Sequence, residues 1–384
     1  MKINSFQFRD RETNWEIKPI NFGMLTLLVG ASGVGKTRIL NAIRSLQSIA
    51  RGKSLNGVEW KLDFSIGQDE YTWEGKFELQ EKSILDVVAS APDETSSKNK
   101  PVIVFEKVVV NDDTIIQRNH NELIFKGNPS PFPVKAEQSV LALINDPLIE
   151  GAERGLRKIL YSDYSNSAKS PSDVHLINQQ IVKKYKSLEE VQNADEHLMD
   201  KFYWVFKKNK KTFNQVKNDF IQVFPQVIDI KIETLPEFKN STLPLFLKSA
   251  PFIQFKEKEM SDWLPVMGMS AGMYRTLVHI IELYLSAEGT VILIDEFENS
   301  LGINCIDELT NELLGATNRI QFIITSHHPY IINSISYNNW KIVTRKGSVV
   351  YTQDAKEFGF DKSKHEAFIQ LINLPEYKTG IKQK

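Results

Sequence analysis

Cysteine is almost absent. Cys305 is the one example, so no internal disulfide can form; a reducing compartment is the expected setting and a buried structural thiol the expected role. Long hydrophobic runs are missing as well. No stretch approaches the roughly 20 apolar residues that span a bilayer, and Met1-Lys-Ile-Asn-Ser-Phe-Gln-Phe8 lacks the apolar core of a secretory leader. Both absences point to a cytoplasmic protein with no part in a membrane. Charge of one sign is lacking too: 47 Lys and Arg face 48 Asp and Glu, a net of −1. That balance gives no global attraction to nucleic acid or acidic lipid, so polyanion binding would need a local patch. No internal repeat or low-complexity tract occurs either, which sets a repeat architecture aside. What is present, 384 residues of which 41% are hydrophobic, can bury one large α/β core with an inserted subdomain, or two modest domains.

The segment Leu27-Leu-Val-Gly-Ala-Ser-Gly-Val-Gly-Lys-Thr37 runs from an apolar strand into a P-loop (GxxxxGK[ST]) and on into a helix-competent stretch. Gly30, Gly33 and Gly35 let the backbone curl with its N–H groups inward, so that the loop and the following helix N-terminus can hold phosphate oxygens. Gly30, Ala31, Ser32, Gly33, Val34, Gly35, Lys36, Thr37 and Arg38 are therefore the expected contacts of a nucleoside triphosphate. Lys36 would reach the β- and γ-phosphates as a catalytic cation, and Thr37 would ligate Mg²⁺. A chance glycine-rich turn would lack both the strand before and the helix after. The loop alone does not choose among the NTPase classes that share it.

Hydropathy patterning predicts strands at residues 3–8, 15–20 and 24–29, the first two as edge strands. Residues 59–66, 71–79, 102–110 and 114–117 are β-rich and separated by turn-prone or charged stretches such as 91–100, the pattern of an antiparallel β-subdomain. From Ser139 to about Phe224 the spacing becomes helical, as in Ile177, Ile181, Tyr185 and Leu188, and a short helical hairpin fits. Residues 227–233 alternate like a strand, and 266–285 read as a loop entering an apolar helix. Residues 291–294 and 320–325 are short buried-strand candidates, and 341–351 a hairpin about Lys346-Gly347. The expected organisation is an N-terminal lobe at 1–138, a helical insertion at 139–226 and a C-terminal lobe at 227–384. Within the insertion, Lys207, Lys208, Lys210, Lys211 and Lys217 interleave with Phe202, Tyr203, Trp204, Phe206 and Phe213. That mixture suits nucleic acid, but equally a helix with a buried aromatic face and a solvated lysine face, or a protein-docking surface.

Three more segments carry chemistry. Val291-Ile-Leu-Ile-Asp-Glu-Phe-Glu298 is an apolar strand ending in carboxylates, a Walker B arrangement that would bring Asp295 to the Mg²⁺ shell beside Thr37 and make Glu296 the general base for an attacking water. Gly268-Met-Ser-Ala-Gly-Met-Tyr-Arg275 precedes the next helix; a Ser-x-Gly there is an ordinary N-cap, and also resembles the (L/M)SxGxxR/K signature of ABC-type ATPases, with Ser270 and Gly272 at the defining positions. Ile323-Ile-Thr-Ser-His-His-Pro-Tyr330 follows a buried strand and resembles the switch segment of that family, with His327 in the switch position and His328 where the family more often has Ser. Two histidines at a strand end could also begin a metal site, though no third ligand is evident in the sequence nearby.

Together the four segments resemble ATPases of the RecF and SMC kind, and more closely the compact ABC-type AAA ATPases related to OLD proteins. The Walker B of that group reads DExEN; here it is Asp295-Glu-Phe-Glu-Asn-Ser-Leu301, followed by Gly302-Ile303 in place of the usual HP. The resemblance covers residue 1 to about 132 and 227 to about 351. It implies an ABC-type P-loop NTPase head with a mixed central sheet, an antiparallel β-subdomain and a helical insertion. It also implies two ATP molecules, with Mg²⁺, held between paired heads of a homodimer or larger homo-oligomer. In that arrangement Ser270 and Gly272 contact the γ-phosphate on the opposite subunit, and a Q-loop glutamine, for which Gln138 is the candidate, reaches the metal. After residue 351 only a short tail is expected, without the acid-rich nuclease domain of OLD proteins. The output would then lie in a separate effector, a nuclease or toxin encoded nearby, as in the sensor ATPases of the PARIS, Septu and retron anti-phage systems. The rival expectation is a RecF-like clamp closing on DNA in repair or recombination.

Overall fold

The computed structural model describes residues 1–81, 100–120, 122–130, 135–162, 176–234, 250–299, 303–360 and 363–382. The turn-prone 91–99 and the Ser300 to Gly302 part of the loop after the acidic strand lie outside the described residues.

In chain order, β1 (Lys2–Asp10) and β2 (Trp15–Asn21) form a hairpin; β3 (Leu25–Val29) leads into the P-loop and α1 (Lys36–Ala50) out of it. β4 (Val58–Ile66), β5 (Asp69–Phe77), β6 (Ile103–Val110), β7 (Asp113–Asn119), β8 (Leu123–Phe125) and β9 (Asn128–Pro129) follow. Next come α2 (Pro147–Arg157), β10 (Ile159–Ser162), the short α3 (Ile181–Lys184) and α4 (Leu188–Asn193), and the pair α5 (Leu198–Lys208) and α6 (Lys210–Val223). β11 (Val227–Thr234), β12 (Pro251–Glu257) and β13 (Leu264–Pro265) precede α7 (Ala271–Leu285). β14 (Thr290–Ile294), α8 (Ile303–Ala316), β15 (Ile320–Thr325) and α9 (Pro329–Ser334) are followed by β16 (Trp340–Lys346), β17 (Val349–Asp354), α10 (Lys364–Asn373) and α11 (Pro375–Thr379).

β3, β14 and β15 are short runs in which every residue is buried, as strands covered on both faces must be. They pair in parallel, and β10 joins β14 and β16 joins β3 in the same sense. The described strands of this sheet run β10-β14-β15-β3-β16-β17-β2-β1-β4-β5-β6-β7-β8-β9. It is the mixed central sheet of a P-loop α/β fold. One expectation is corrected by its order. β1 and β2 are interior strands, because the β16–β17 hairpin inserts between β3 and β2 and β4 covers the far side of β1. The strands β4 to β9 pair antiparallel, as expected of the β-subdomain, and extend the same sheet. α1 packs through Ile39, Leu40, Ile43, Leu46 and Ile49, all with no exposure, the i, i+3/i+4 stripe of a helix lying on a sheet.

By its packing the chain divides into two compact units: Met1–Ser162, Gly289–Asp295 and Arg319–Lys384 form one, and Asp163–Glu288 with Glu296–Asn318 the other. In the first, the Gln321 side chain has no exposure; it accepts from Ile3 N at 2.7 Å and donates to the carbonyls of Ile3 and Gly23, each at 2.8 Å. That closes the backbone groups freed where β1 shifts register between Ile3 and Ser5. A second buried polar cluster sits in the antiparallel part. Glu106 and Arg118 are cross-strand partners on β6 and β7, 3.8 Å apart and essentially without solvent contact. Glu106 also accepts from Trp73 Nε1 at 3.0 Å, Val140 N at 3.0 Å and Ser139 Oγ. Arg118 donates to the carbonyls of Lys135, Ala136 and Gln138. Burial pushes the Glu106 carboxyl up, against the pull of its donors and of Arg118, and pushes the guanidinium of Arg118 down.

Residues 139–224, read as helical throughout, contain the strand β10, and 139–162 group with the first unit. In the second unit the 177–188 periodicity is not one helix. Ser187 Oγ accepts from Glu190 N, an N-cap that restarts the chain as α4, and Glu190 Oε2 accepts from Lys186 N just before the cap. α5 and α6 form the expected short hairpin, broken at Asn209, with Phe202 stacked on Phe213 at 5.4 Å. Beside them β11, β12 and β13 make a small antiparallel sheet. α7 is held to this helical layer by Tyr284, whose hydroxyl donates to Asp219 at 2.6 Å and whose carbonyl accepts from Gln192 Nε2 at 2.8 Å.

Candidate functional site

Within the first unit the parallel strands β10, β14, β15 and β3 all end on one edge, the edge where open α/β sheets bind ligands. The register sets Ile294 beside Ile324, and Thr325 beside Leu28, so the residues that follow each strand meet. Asp295 follows β14, and its Oδ1 accepts from Thr37 Oγ1 at 3.1 Å and from Thr325 Oγ1 at 2.7 Å. The structure thus brings together Thr37 and Asp295 as the sequence predicted. It adds Thr325, whose only advance signal is a Thr closing a buried apolar run. His327 stands exposed two residues further along the same strand end.

The P-loop between β3 and α1 has the geometry its glycines require. Gly30 and Gly35 take φ of 152° and 108°, and a Cβ would lie 2.5 Å from Val343 O at the first and 2.9 Å from Val350 at the second. Ser32, Gly33, Thr37 and Arg38 face outward while Val34 is buried. Lys36 is buried at the helix start and donates from Nζ to the carbonyls of Gly30 and Ala31, each at 2.9 Å. Arg38, one residue past the loop, lies over the Trp15 ring at 3.9 Å from its centroid. The two line a cavity of about 290 Å³ with Asp10, Asn41, Ala42 and Val58.

Gln138 is not brought to this cluster. Its side-chain amide lies against Gly52, just past the end of α1, whereas Thr37 is in the first turn of that 15-residue helix, about 22 Å away along its axis. The segment that does reach the site's edge is β10, whose last residue Ser162 pairs with Ile294 directly before Asp295. Sequence reading missed it because four strand residues are hidden in a helical stretch.

In the second unit, Ser270 caps α7, its Oγ accepting from Met273 N at 3.2 Å. It is exposed, and Gly272 half-buried, at the first turn of a 15-residue helix. Ser270 therefore caps the helix, and a capped helix N-terminus is the kind of end that receives an anion. Glu296 is exposed with φ of 48°, in a turn closed by Asn299 N donating to its carbonyl at 2.7 Å. Buried Phe297 packs edge-on against His279 of α7 at 5.5 Å, and Arg275 of α7 donates to the Asn299 carbonyl. α7 thus fixes both ends of the turn after Glu296, which sequence alone did not reveal.

Burial lowers the His279 pKa from 6.5 to about 4. The unfolded chain takes up a proton below about pH 6.5 that the folded protein does not take up until about pH 4, so this contribution is complete above pH 6.5 and is lost as the pH falls. It amounts to about 3 kcal/mol. Urea unfolding between pH 4 and 7 should show this slope, and His279→Gln should flatten it.

Four of the five aromatic side chains of the 201–217 stretch are taken up by the core: Phe202, Tyr203, Trp204 and Phe213 are buried, Phe206 and Lys217 are half-buried, and Lys207, Lys208, Lys210 and Lys211 are exposed. Base stacking on the buried rings is therefore not available. Among the described residues no group of three or more His, Cys, Asp and Glu is placed to hold a metal, so His327 and His328 gain no third ligand there. Among the same residues no helix is long and apolar enough to cross a membrane.

A glycine-wrapped loop, a buried lysine and a Walker-type Asp–Thr contact define a P-loop nucleoside-triphosphate-binding fold. The chain belongs to the family described as "AAA domain, putative AbiEii toxin, Type IV TA system", whose model matches residues 51–333. The P-loop lies N-terminal to that match. No curated protein matches the sequence. Among solved structures, the chain is similar to an SMC head bound to the C-terminal winged-helix domain of ScpA, at 12% identity and TM-score 0.44, covering 94% of this chain and 99% of the other. It is similar also to the Smc head with an extended coiled coil bound to the C-terminal domain of ScpA from Pyrococcus furiosus, at 14% identity and TM-score 0.47, covering 93% and 98%. A third is the SMC head domain from Thermotoga maritima, at 12% identity and TM-score 0.42, covering 92% and 99%.

Proposed function

We propose that the protein is a cytoplasmic, Mg²⁺-dependent ATPase of the ABC/SMC type whose ATP-driven head pairing gates a separate effector protein, as the sensor subunit of an anti-phage defence system. The observation that carries the ATPase reading is the convergence of the Thr37 and Thr325 hydroxyls on Asp295 Oδ1 beside the P-loop. A carboxylate and a hydroxyl 3.1 Å apart are the hard oxygen donors Mg²⁺ takes, so Thr37 and Asp295 would hold it. When bound, the ion supplies charge neutralisation at the β- and γ-phosphate oxygens.

The chain's own residues do the rest. P-loop amides from Gly30 to Thr37 wrap the phosphates, and Lys36 exchanges its two loop carbonyls for phosphate oxygens. Arg38 and Trp15 offer a stacking surface to the base. Glu296 takes the proton of the attacking water, and His327 orients that water against the γ-phosphate. Ser270 and Gly272, at the N-terminus of α7, cap the γ-phosphate held by a second copy of the chain. Family membership supports the AAA-type assignment; the effector, a nuclease or toxin, and the defence role are drawn from the sequence resemblance.

The test is the solution mass of Glu296→Gln by light scattering, with and without Mg-ATP. The expected result is a nucleotide-dependent doubling, abolished by adding Ser270→Arg, which places a bulky cation on the helix end. A mass that ignores nucleotide in both proteins refutes pairing of heads by ATP.

A further inference from the structure

β16 has an open stretch on its β3 side. Trp340, Lys341 and Ile342 pair with Leu27, Leu28 and Val29 of β3, but at Gly30 the chain leaves the sheet to form the P-loop. Further along β16, the C-terminal segment takes the place β3 has left. Arg345 N donates to Gly380 O at 2.8 Å and Lys382 N to Arg345 O at 3.3 Å, which makes Ile381 a parallel bridge partner of Arg345. The segment after β17 is therefore not a loose tail. It folds through α10 and α11 and returns to the sheet.

We propose that this return strand is a strut for the nucleotide-binding loop, and that Gly380 is a positioning residue for ATP; the proposal rests on the P-loop being the ATP site. Gly380 is buried and left-handed, with φ of 67°. Its N–H donates to Glu376 O at 2.9 Å, ending α11, and its carbonyl takes the Arg345 N–H. Its bare Cα faces the P-loop so closely that a Cβ would lie 2.4 Å from Val34 Cγ1 and 3.1 Å from Ala31 Cβ. Val34 is 3% exposed, between outward-facing Gly33 and half-buried Gly35. On the far side of the strut, Lys382 Nζ lies over the Tyr351 ring of β17 at 3.9 Å, and Ile381 N donates to Thr379 Oγ1 at 3.2 Å. The strut is thus tied to β16, β17 and α11, and the P-loop rests against it through Ala31 and Val34. Lys36 can leave the carbonyls of Gly30 and Ala31 for a phosphate only if those residues hold their curl when the lysine goes. A backing that bears on Ala31 and Val34 supplies that.

The experiment uses the full chain in four forms: wild type, Gly380→Ala, Gly380→Ala with Val34→Ala, and Gly359→Ala. Gly359 also ends a helix in the left-handed region, with φ of 64°, but an added Cβ there meets nothing within 4 Å. It therefore carries the same backbone penalty without touching the loop. Binding of a fluorescent ATP analogue with Mg²⁺ gives the affinity, and amide exchange of residues 30–38 in the nucleotide-free protein reports the loop directly. Gly380→Ala should weaken binding about 10-fold or more and speed exchange across the loop, since displacements of an ångström or less carry penalties of that size. Removing the Val34 γ-methyls in the double variant should restore most of the affinity, and Gly359→Ala should bind as wild type. Unchanged binding and exchange in Gly380→Ala, no rescue by Val34→Ala, or an equal loss in Gly359→Ala would each overturn the strut. If the wild type itself fails to bind the analogue, the ATP reading falls, while faster loop exchange in Gly380→Ala with protection regained in the double variant would still sustain the mechanical contact.

Discussion

Glu296→Gln should retain Mg-ATP binding and lose ATP turnover by a factor of about 10² to 10⁴, the range over which a positioned general base acts. The substitution keeps the size and hydrogen-bonding capacity of the side chain but removes its ability to accept the water proton. Glu296 is exposed, and its turn is closed by main-chain atoms, by buried Phe297 against His279 and by Arg275 on the Asn299 carbonyl. None of these uses the Glu296 carboxylate. Asp295→Asn offers the contrast, because Asp295 Oδ1 takes both Thr37 and Thr325 hydroxyls; there metal affinity should fall together with turnover. Steady-state phosphate release, paired with nucleotide binding at varied Mg²⁺, separates the two. Wild-type turnover in Glu296→Gln would remove it from the role of base.

The parts of this site legible in the sequence were those whose chemistry needs contiguous residues. The P-loop was legible because left-handed glycines, a buried lysine and a helix start must follow one another. The strand ends at Asp295 and Thr325 were legible because a strand covered on both faces must be apolar at every position. Strand order was not legible: nothing in 341–351 says that this hairpin splits β3 from β2, since hydropathy marks which faces of a strand are buried and not which strands lie beside it. Gln138 was assigned by its place between a β-rich and a helical stretch. The cross-strand pair Glu106 and Arg118 instead ties that segment to β6 and β7, far along α1 from the phosphate loop. The short β10 reads as helix in its surroundings and is identified only by its parallel partner β14. The C-terminal strut likewise depends on a contact more than 340 positions away in sequence, between Gly380 and Val34, and one glycine after a short helix is an ordinary cap in any local reading.

Arg118→Met should destabilise the protein by about 3–5 kcal/mol, the cost of breaking one side of a buried ion pair. Glu106 has no exposure and Arg118 4%, so the pair is held away from bulk water. The loss has two parts. The carboxylate keeps its donors from Trp73, Ser139 and Val140 but loses its counter-charge, and the carbonyls of Lys135, Ala136 and Gln138 each lose the guanidinium donor, Lys135 O keeping Gln138 N and Ala136 O keeping Ile103 N. The pH dependence identifies the cause. Burial already raises the folded-state pKa of Glu106 above its usual value, and without Arg118 it must rise further. A group raised in this way is stabilising below its unfolded pKa and loses that contribution as the pH climbs through the folded value. The variant should therefore recover part of its deficit, relative to wild type, as the pH is lowered towards 5. Arg118→Met combined with Glu106→Gln removes the stranded charge and should be more stable than Arg118→Met alone at neutral pH, with the pH dependence gone. Urea midpoints for the three proteins at two pH values decide it. A deficit that ignores pH and persists in the double variant would assign the whole effect to the three carbonyls, and the ion pair would then contribute nothing to holding β6 and β7 against residues 135–140.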